Sequence, residues 1–188
     1  LWERVLRRAN LPILYTQGFN TRPRIQIAAP LALGISSDCE IVDIELREPV
    51  ELEALAEQLL AVAPVGLSIT KVEAVDPALP ATQTLVRAGR YRVHFLDPVD
   101  VPALRERVTA LLEADTLVRI EEKKRGKKSA YDLRPLILDL QVEADGDLLA
   151  RVSIGERGNL RPDKLLDELG LGDRHVTLHR YELTLIDA

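Results

Sequence analysis

The sequence predicts an α+β fold made of duplicated ferredoxin-like (βαββαβ) halves, the first without its opening strand. Three observations lead there. Strand-like and helix-like periods follow one another in the order helix, strands, helix, strand before residue 76. After a proline-bearing break the same order begins again, now with a strand at its head. The 188 residues are 46% hydrophobic but only 4% aromatic, so one sizeable core or two small ones must be built from Leu, Val, Ile and Ala, and the two halves are expected to pack as one compact unit. The boundaries that follow are 1–76 for the first half, 77–89 for a linker, and 90–188 for the second half, with a basic hairpin over 117–133.

Taken in order, Trp2, Val5, Leu6 and Ala9 fall at helical spacing, with Arg4, Arg7 and Arg8 on another side. Ile13 to Thr16 and Arg24 to Ala28 read as strands. So does Glu40 to Leu46, where Val42, Ile44 and Leu46 alternate with Asp43 and Glu45. Leu52, Leu55, Ala56, Leu59, Leu60 and Val62 make a helical stripe that Pro64 and Gly66 end. Leu67 to Val75 returns as a strand. Pro77 and Pro80 then interrupt any period. In the second half Tyr91, Val93 and Phe95 alternate. Asp100 caps a helix carrying Val101, Leu104, Val108, Leu111 and Leu112. Leu117 to Glu121 and Ala130 to Leu133 flank a turn at Gly126. Leu136 to Val142 and Leu148 to Ile154 flank Asp145-Gly146, a strong hairpin signal. A helix from Pro162 to Leu169, closed by Gly170, and a strand from Val176 to Ile186 complete the set.

Composition narrows the chemistry. Cys39 is the single cysteine, so the chain has no thiolate set for zinc or an iron–sulfur cluster, and no cofactor is expected on it. No run approaches the roughly 20 apolar residues of a membrane span, so no membrane partner and a cytoplasmic location are expected. The net charge of −5 is unevenly spread: residues 1–30 carry +4, residues 38–76 carry −8 and residues 119–128 carry +4. No G-x-S-x-G, Walker A or G-x-G-x-x-G run occurs, which leaves nucleophilic hydrolysis and nucleotide binding without a motif.

His175 and His179 have a spacing that suits a metal on a helix. On a strand, four steps separate them by roughly 13 Å, whereas zinc ligands sit about 2 Å from the ion. His94 reads as a surface histidine. Asp38, Glu40, Asp43 and Glu45 read as alternating charge on the wet side of a strand, since catalysis needs one carboxyl with a distinct environment. The run Lys123, Lys124, Arg125, Gly126, Lys127, Lys128 is a basic turn able to reach phosphates, or a solvated loop. Tyr15, Phe19 and Tyr131 are the aromatics near the basic segments that could stack on bases.

The densest turn chemistry lies in Gln17-Gly18-Phe19-Asn20-Thr21-Arg22-Pro23-Arg24-Ile25. Gly18 and Asn20 tolerate positive φ, and Pro23 drives Arg22 out of the helical region. With Ala29-Pro30-Leu31-Ala32-Leu33-Gly34-Ile35, Arg134-Pro135 and Arg161-Pro162-Asp163, this segment resembles the radical-SAM-linked protein family. That is a bacterial domain of unknown function encoded beside or fused to radical SAM enzymes. Thr21 stands where members usually carry Pro. Members also have a strand and loop ahead of the first helix, so this chain is expected to lack its start.

The resemblance implies a non-catalytic accessory or substrate-presenting domain whose partner is a radical SAM protein. An RNA-binding module, conceivably tRNA-directed, is the alternative by fold analogy. A pseudouridine-synthase-like enzyme, also built of duplicated α+β halves, is disfavoured, because no loop resembles that family's catalytic aspartate motif. The candidate binding residues are Phe19, Arg22, Arg24, Lys123, Lys124, Arg125, Lys127, Lys128, Arg134 and Arg161. No catalytic or metal residue is assigned.

Overall fold

A computed structural model describes residues 1–123, 127–155 and 158–186. The chain is α+β, with five α-helices and nine strands among the described residues. It divides into two compact units: residues 1–28 with 41–82, and residues 29–40 with the chain from 83 onward.

The second unit is built on β4 (Val86–Phe95), where buried Tyr91, Val93 and Phe95 alternate with exposed Arg92 and His94. It continues through α4 (Val101–Glu113), β7 (Ile137–Val142), β8 (Leu148–Ser153), α5 (Pro162–Glu168) and β9 (Val176–Leu185). These strands lie in the order β9-β4-β8-β7, each pair antiparallel, which is the split βαβ arrangement of a ferredoxin-like fold. Local chemistry sets the element ends. Asp100 accepts from the Ala103 amide at 3.0 Å as the α4 N-cap. Gly146, at φ +94°, turns β7 into β8. Leu104, Val108 and Leu111 of α4 and Leu165 and Leu166 of α5 are buried, as are Leu148, Ala150 and Val152 of β8.

Two additions complete this unit. β5 (Val118–Lys123) and β6 (Lys127–Asp132) form the expected hairpin as a separate ladder, paired from Val118–Asp132 to Lys123–Lys127. β2 (Ile35–Ser37) pairs in parallel with β9 and makes the sheet five-stranded. The second addition has no counterpart in the sequence reading. It draws residues 29–40 out of the first unit and closes on Arg180, which is 2% exposed. The Arg180 guanidinium donates from Nη2 to the Ala29 carbonyl at 2.6 Å, from Nε to Glu40 Oε1 at 3.0 Å, and from Nη1 to the Tyr91 hydroxyl at 3.3 Å. It also lies 5.9 Å from the centre of the Tyr91 ring. The Arg180 carbonyl accepts from the Asp38 amide at 3.1 Å.

The first unit contains α1 (Trp2–Arg8), β1 (Ile25–Ile27), β3 (Val42–Ile44) and α2 (Leu52–Val62), with β1 and β3 antiparallel. Val5, Leu6, Ala9, Ile13 and Leu59 are its buried core. The strand expected at Ile13 to Thr16 is reduced to the isolated bridges Ile13–Leu46 and Tyr15–Pro23. Leu67 to Val75 forms no strand. Leu67 and Ile69 still pack on the core, so their alternation reports a buried face, but no ladder partner is present among the described residues. The first unit therefore does not complete a βαββαβ pattern, and the internal duplication is not reproduced. The linker reading over 77–89 is also cut short, because α3 (Thr82–Leu85) and the first residues of β4 fall inside it.

Removing the partner of a buried cation leaves its charge uncompensated. Glu40→Ala is expected to destabilise the protein by about 3 kcal/mol, whereas Glu40→Ala combined with Arg180→Met recovers part of that loss. Urea unfolding of both variants measures the difference.

Candidate functional site

The Gln17–Ile25 segment forms a stapled loop in the first unit. The Thr16 amide donates to the Arg22 carbonyl at 2.8 Å, and the Arg22 amide donates to Thr16 Oγ1 at 2.9 Å. Below this pair, the Arg24 amide donates to the Leu14 carbonyl at 2.8 Å and the Leu14 amide to the Glu45 carbonyl at 2.8 Å. Gly18, at φ +125°, lets the chain reverse. Phe19 is left with its whole side chain in solvent, and Tyr15 is half-exposed. The two arginines separate in role. Arg24 pairs with Glu45 at 2.7 Å and ties the loop to the neighbouring strand. The exposed Arg22 guanidinium has no hydrogen-bond or ion-pair partner among the described residues.

The other candidates are placed elsewhere, in the second unit. Arg134 donates to the Ile137 carbonyl at 3.1 Å and to the Leu112 carbonyl at 2.7 Å, fastening the end of α4 to the turn that enters β7. Arg161 pairs with Asp163 at 2.9 Å. Arg22-Pro23 and Arg134-Pro135 are not equivalent positions: Pro23 lies in a strand bridge and Pro135 in a 3-10 turn. Lys123, Lys127 and Lys128 take part in the β5–β6 ladder, while Lys124 and Arg125 lie outside the described residues.

Each carboxylate of the 38–45 run has its own partner, so the picture of undifferentiated surface charge needs correcting. Glu40 meets Arg180, Glu45 meets Arg24, and Asp43 accepts from the Thr82 hydroxyl at 2.8 Å. Asp38 Oδ2 lies 3.1 Å from His179 Nε2, and Ser36 Oγ lies 2.9 Å from His179 Nδ1. A serine, histidine and aspartate in line suggest a nucleophile and its base. Here, however, the Asp38 side chain is 79% exposed, and water screens a carboxylate that a triad keeps buried to steady the imidazolium. The Ser36 hydroxyl is also within 3.3 Å of the Leu178 carbonyl. The three side chains tie β2 to β9. Cys39 is no better placed as a nucleophile, because burial raises its thiol pKa and the Ser37 hydrogen bond and Arg180 only partly offset that.

The outward face of the second sheet holds another cluster missed from sequence. Asp147 is buried and takes Arg92 Nη1 at 2.9 Å and His94 Nδ1 at 2.8 Å, so His94 is a partnered histidine rather than a free one. The Asp145-Gly146-Asp147 turn was the visible signal; its partners are more than fifty residues away. Among the described residues no group of three or more His, Cys, Asp or Glu side chains is arranged to hold a metal ion. No helix among them is long and apolar enough to cross a membrane.

A family match covers residues 1–162 and takes in both the stapled loop and the Arg134 turn. The chain belongs to the DUF2344 family, described as uncharacterized proteins conserved in bacteria. Searching the curated proteins finds no match. The DUF2344 match ends at the first residue of α5 and so stops short of β9, the strand that carries His179 and Arg180.

Burial alone would raise the Asp147 pKa, but hydrogen bonds from Arg92 and His94 outweigh it and hold the carboxyl below its ordinary value. A carboxylate depressed in the folded state stabilises the protein above its unfolded pKa, roughly 3.9, and that contribution fades as pH falls through the folded value. Thermal unfolding between pH 7 and pH 2 is expected to show a loss of stability below about pH 4 that is smaller in Asp147→Asn.

Proposed function

We propose that this DUF2344 chain is a non-catalytic accessory domain that works with a radical SAM enzyme and contacts its partner or substrate through the Tyr15–Arg24 loop. The observation that carries the reading is Phe19, fully exposed at the tip of a loop whose backbone is hydrogen-bonded at its neck. A single exposed apolar side chain is ordinary on a protein surface. An exposed aromatic ring and an unpaired arginine on one pre-shaped loop are a different object: they combine residue types that dominate binding interfaces with little ordering cost on association. The radical SAM partner comes from the family resemblance carried by residues 17–25.

A protein partner is favoured over RNA by the second sheet. RNA-recognition sheets stack bases on aromatic side chains of their two central strands. The corresponding outward positions on β4 and β8 carry Arg90, Arg92, His94, Leu149 and Arg151, with no Phe, Tyr or Trp among them, and the one ring, His94, is held by Asp147 at 2.8 Å.

Copurification of the full-length protein with a radical SAM protein tests the reading. Phe19→Ala and Arg22→Ala are each expected to weaken retention by about thirtyfold, the size of an interface hot spot, with folding stability changed by less than about 0.5 kcal/mol. Retention that ignores both substitutions removes the loop from the interface. Nucleic acid that copurifies with the wild-type protein and is lost with Phe19→Ala supports RNA binding instead.

A further inference from the structure

The geometry points to a binding site for a small phosphate-class oxyanion at Arg90 and Arg151 on the sheet of the second unit. β4 and β8 set these residues directly opposite each other in antiparallel register, with Glu182 of β9 beside Arg90 and Asp139 of β7 beside Arg151. Like charges opposed across a ladder, with Cβ atoms about 5 Å apart, repel. The acids at the two ends of the row do not resolve this. Asp139 accepts from Gln141 at 3.1 Å instead of from Arg151. Glu182 lies 3.3 Å from Arg90 Nε, within ion-pair distance, yet that N–H has no hydrogen-bond acceptor. Arg151 has neither a hydrogen bond nor an ion pair among the described residues, and its Nε is closed to water as well.

Buried donors without acceptors are rare and costly in folded proteins, and two on facing arginines call for an acceptor supplied from outside. No hydrogen bond holds the Arg151 guanidinium in its present orientation, so turning it onto an anion breaks none. The class of anion follows from shape. A planar carboxylate is satisfied by a single guanidinium fork, whereas a tetrahedral oxyanion offers enough oxygens for two forks approaching from adjacent strands. Size follows from charge. Asp139 and Glu182 close both ends of the row and would repel a polyanion laid across the sheet, so the site suits a single phosphate group.

The test uses the full chain with inorganic phosphate, phenyl phosphate and succinate at matched ionic strength, followed by thermal shift and calorimetry. Both phosphates are expected to raise the Tm in a dose-dependent way, and the stronger of the two tells a free ion from a phosphate ester. Arg90→Met and Arg151→Met should each weaken phosphate binding by about tenfold or more. Both should also raise the ligand-free Tm, since each removes the repulsion and one unmet donor. Arg8→Gln, an exposed arginine of the first unit, should respond as wild type does. A response that persists in both Met variants overturns the proposal, as does an equal response to succinate or a fall in the ligand-free Tm of the Met variants. Should those variants fail to fold, the wild-type arginine Nε–H resonances decide: two that shift with phosphate support the site, and none shifting refutes it.

Discussion

A single buried guanidinium organises the second unit. Taking a cation out of water costs several kcal/mol unless its donors are met, and Arg180 meets them with groups separated from it by about 140 residues or more on one side and by Tyr91 on the other. Ala29 and Glu40 bound the segment that contains β2, so the groups that satisfy Arg180 also hold a parallel edge strand against β9. The Asp38 and Ser36 contacts to His179 reinforce the same seam from the neighbouring residue. Without Glu40, β9 would carry an unpaired charge in the interior of its sheet.

The first unit falls short of a second ferredoxin-like copy for want of strand partners. A strand needs backbone partners as well as an alternating face. Residues 29–40, which lie between β1 and β3 in the chain, belong to the second unit instead and pair with β9 through Ile35–Ser37. The first unit keeps the three-residue ladder of β1 and β3, and Leu67 and Ile69 contribute apolar packing without joining a sheet.

Polar side chains divide by what they touch. Arg24, Arg161 and Arg180 are engaged by carboxylates or carbonyls and serve the fold, as does Arg134 through Nη1 and Nη2, although its buried Nε has no acceptor. Arg22 and Arg151 have no such partner among the described residues, and Arg90 has only the Glu182 carboxylate at 3.3 Å, with its Nε–H unbonded. They sit in two different settings, an exposed loop tip and a half-buried sheet face, and so suit different ligands: a protein surface and a small anion.

The stapled loop, both main helices of the second unit, the Asp145-Gly146 hairpin and the β5–β6 hairpin were legible because each depends on residues within one turn or one alternating run: Gly18 and Pro23, the Asp100 cap, the Gly146 turn, the stripe through Leu104, Val108 and Leu111. The partners of Glu40, Asp38, His94 and Arg151 were not legible, since a charge in a strand looks alike whether it faces water or a buried arginine contributed by a distant part of the chain. By itself the sequence determined the α+β class, the element order of the second half and the position of the loop that carries Phe19, because hydrophobic period and turn chemistry are local. Only the tertiary structure decided that residues 29–40 add to β9, that Arg180 is buried, and that Arg90 stands opposite Arg151. Strand pairing and burial depend on which distant segments meet, and nothing in local sequence encodes that meeting.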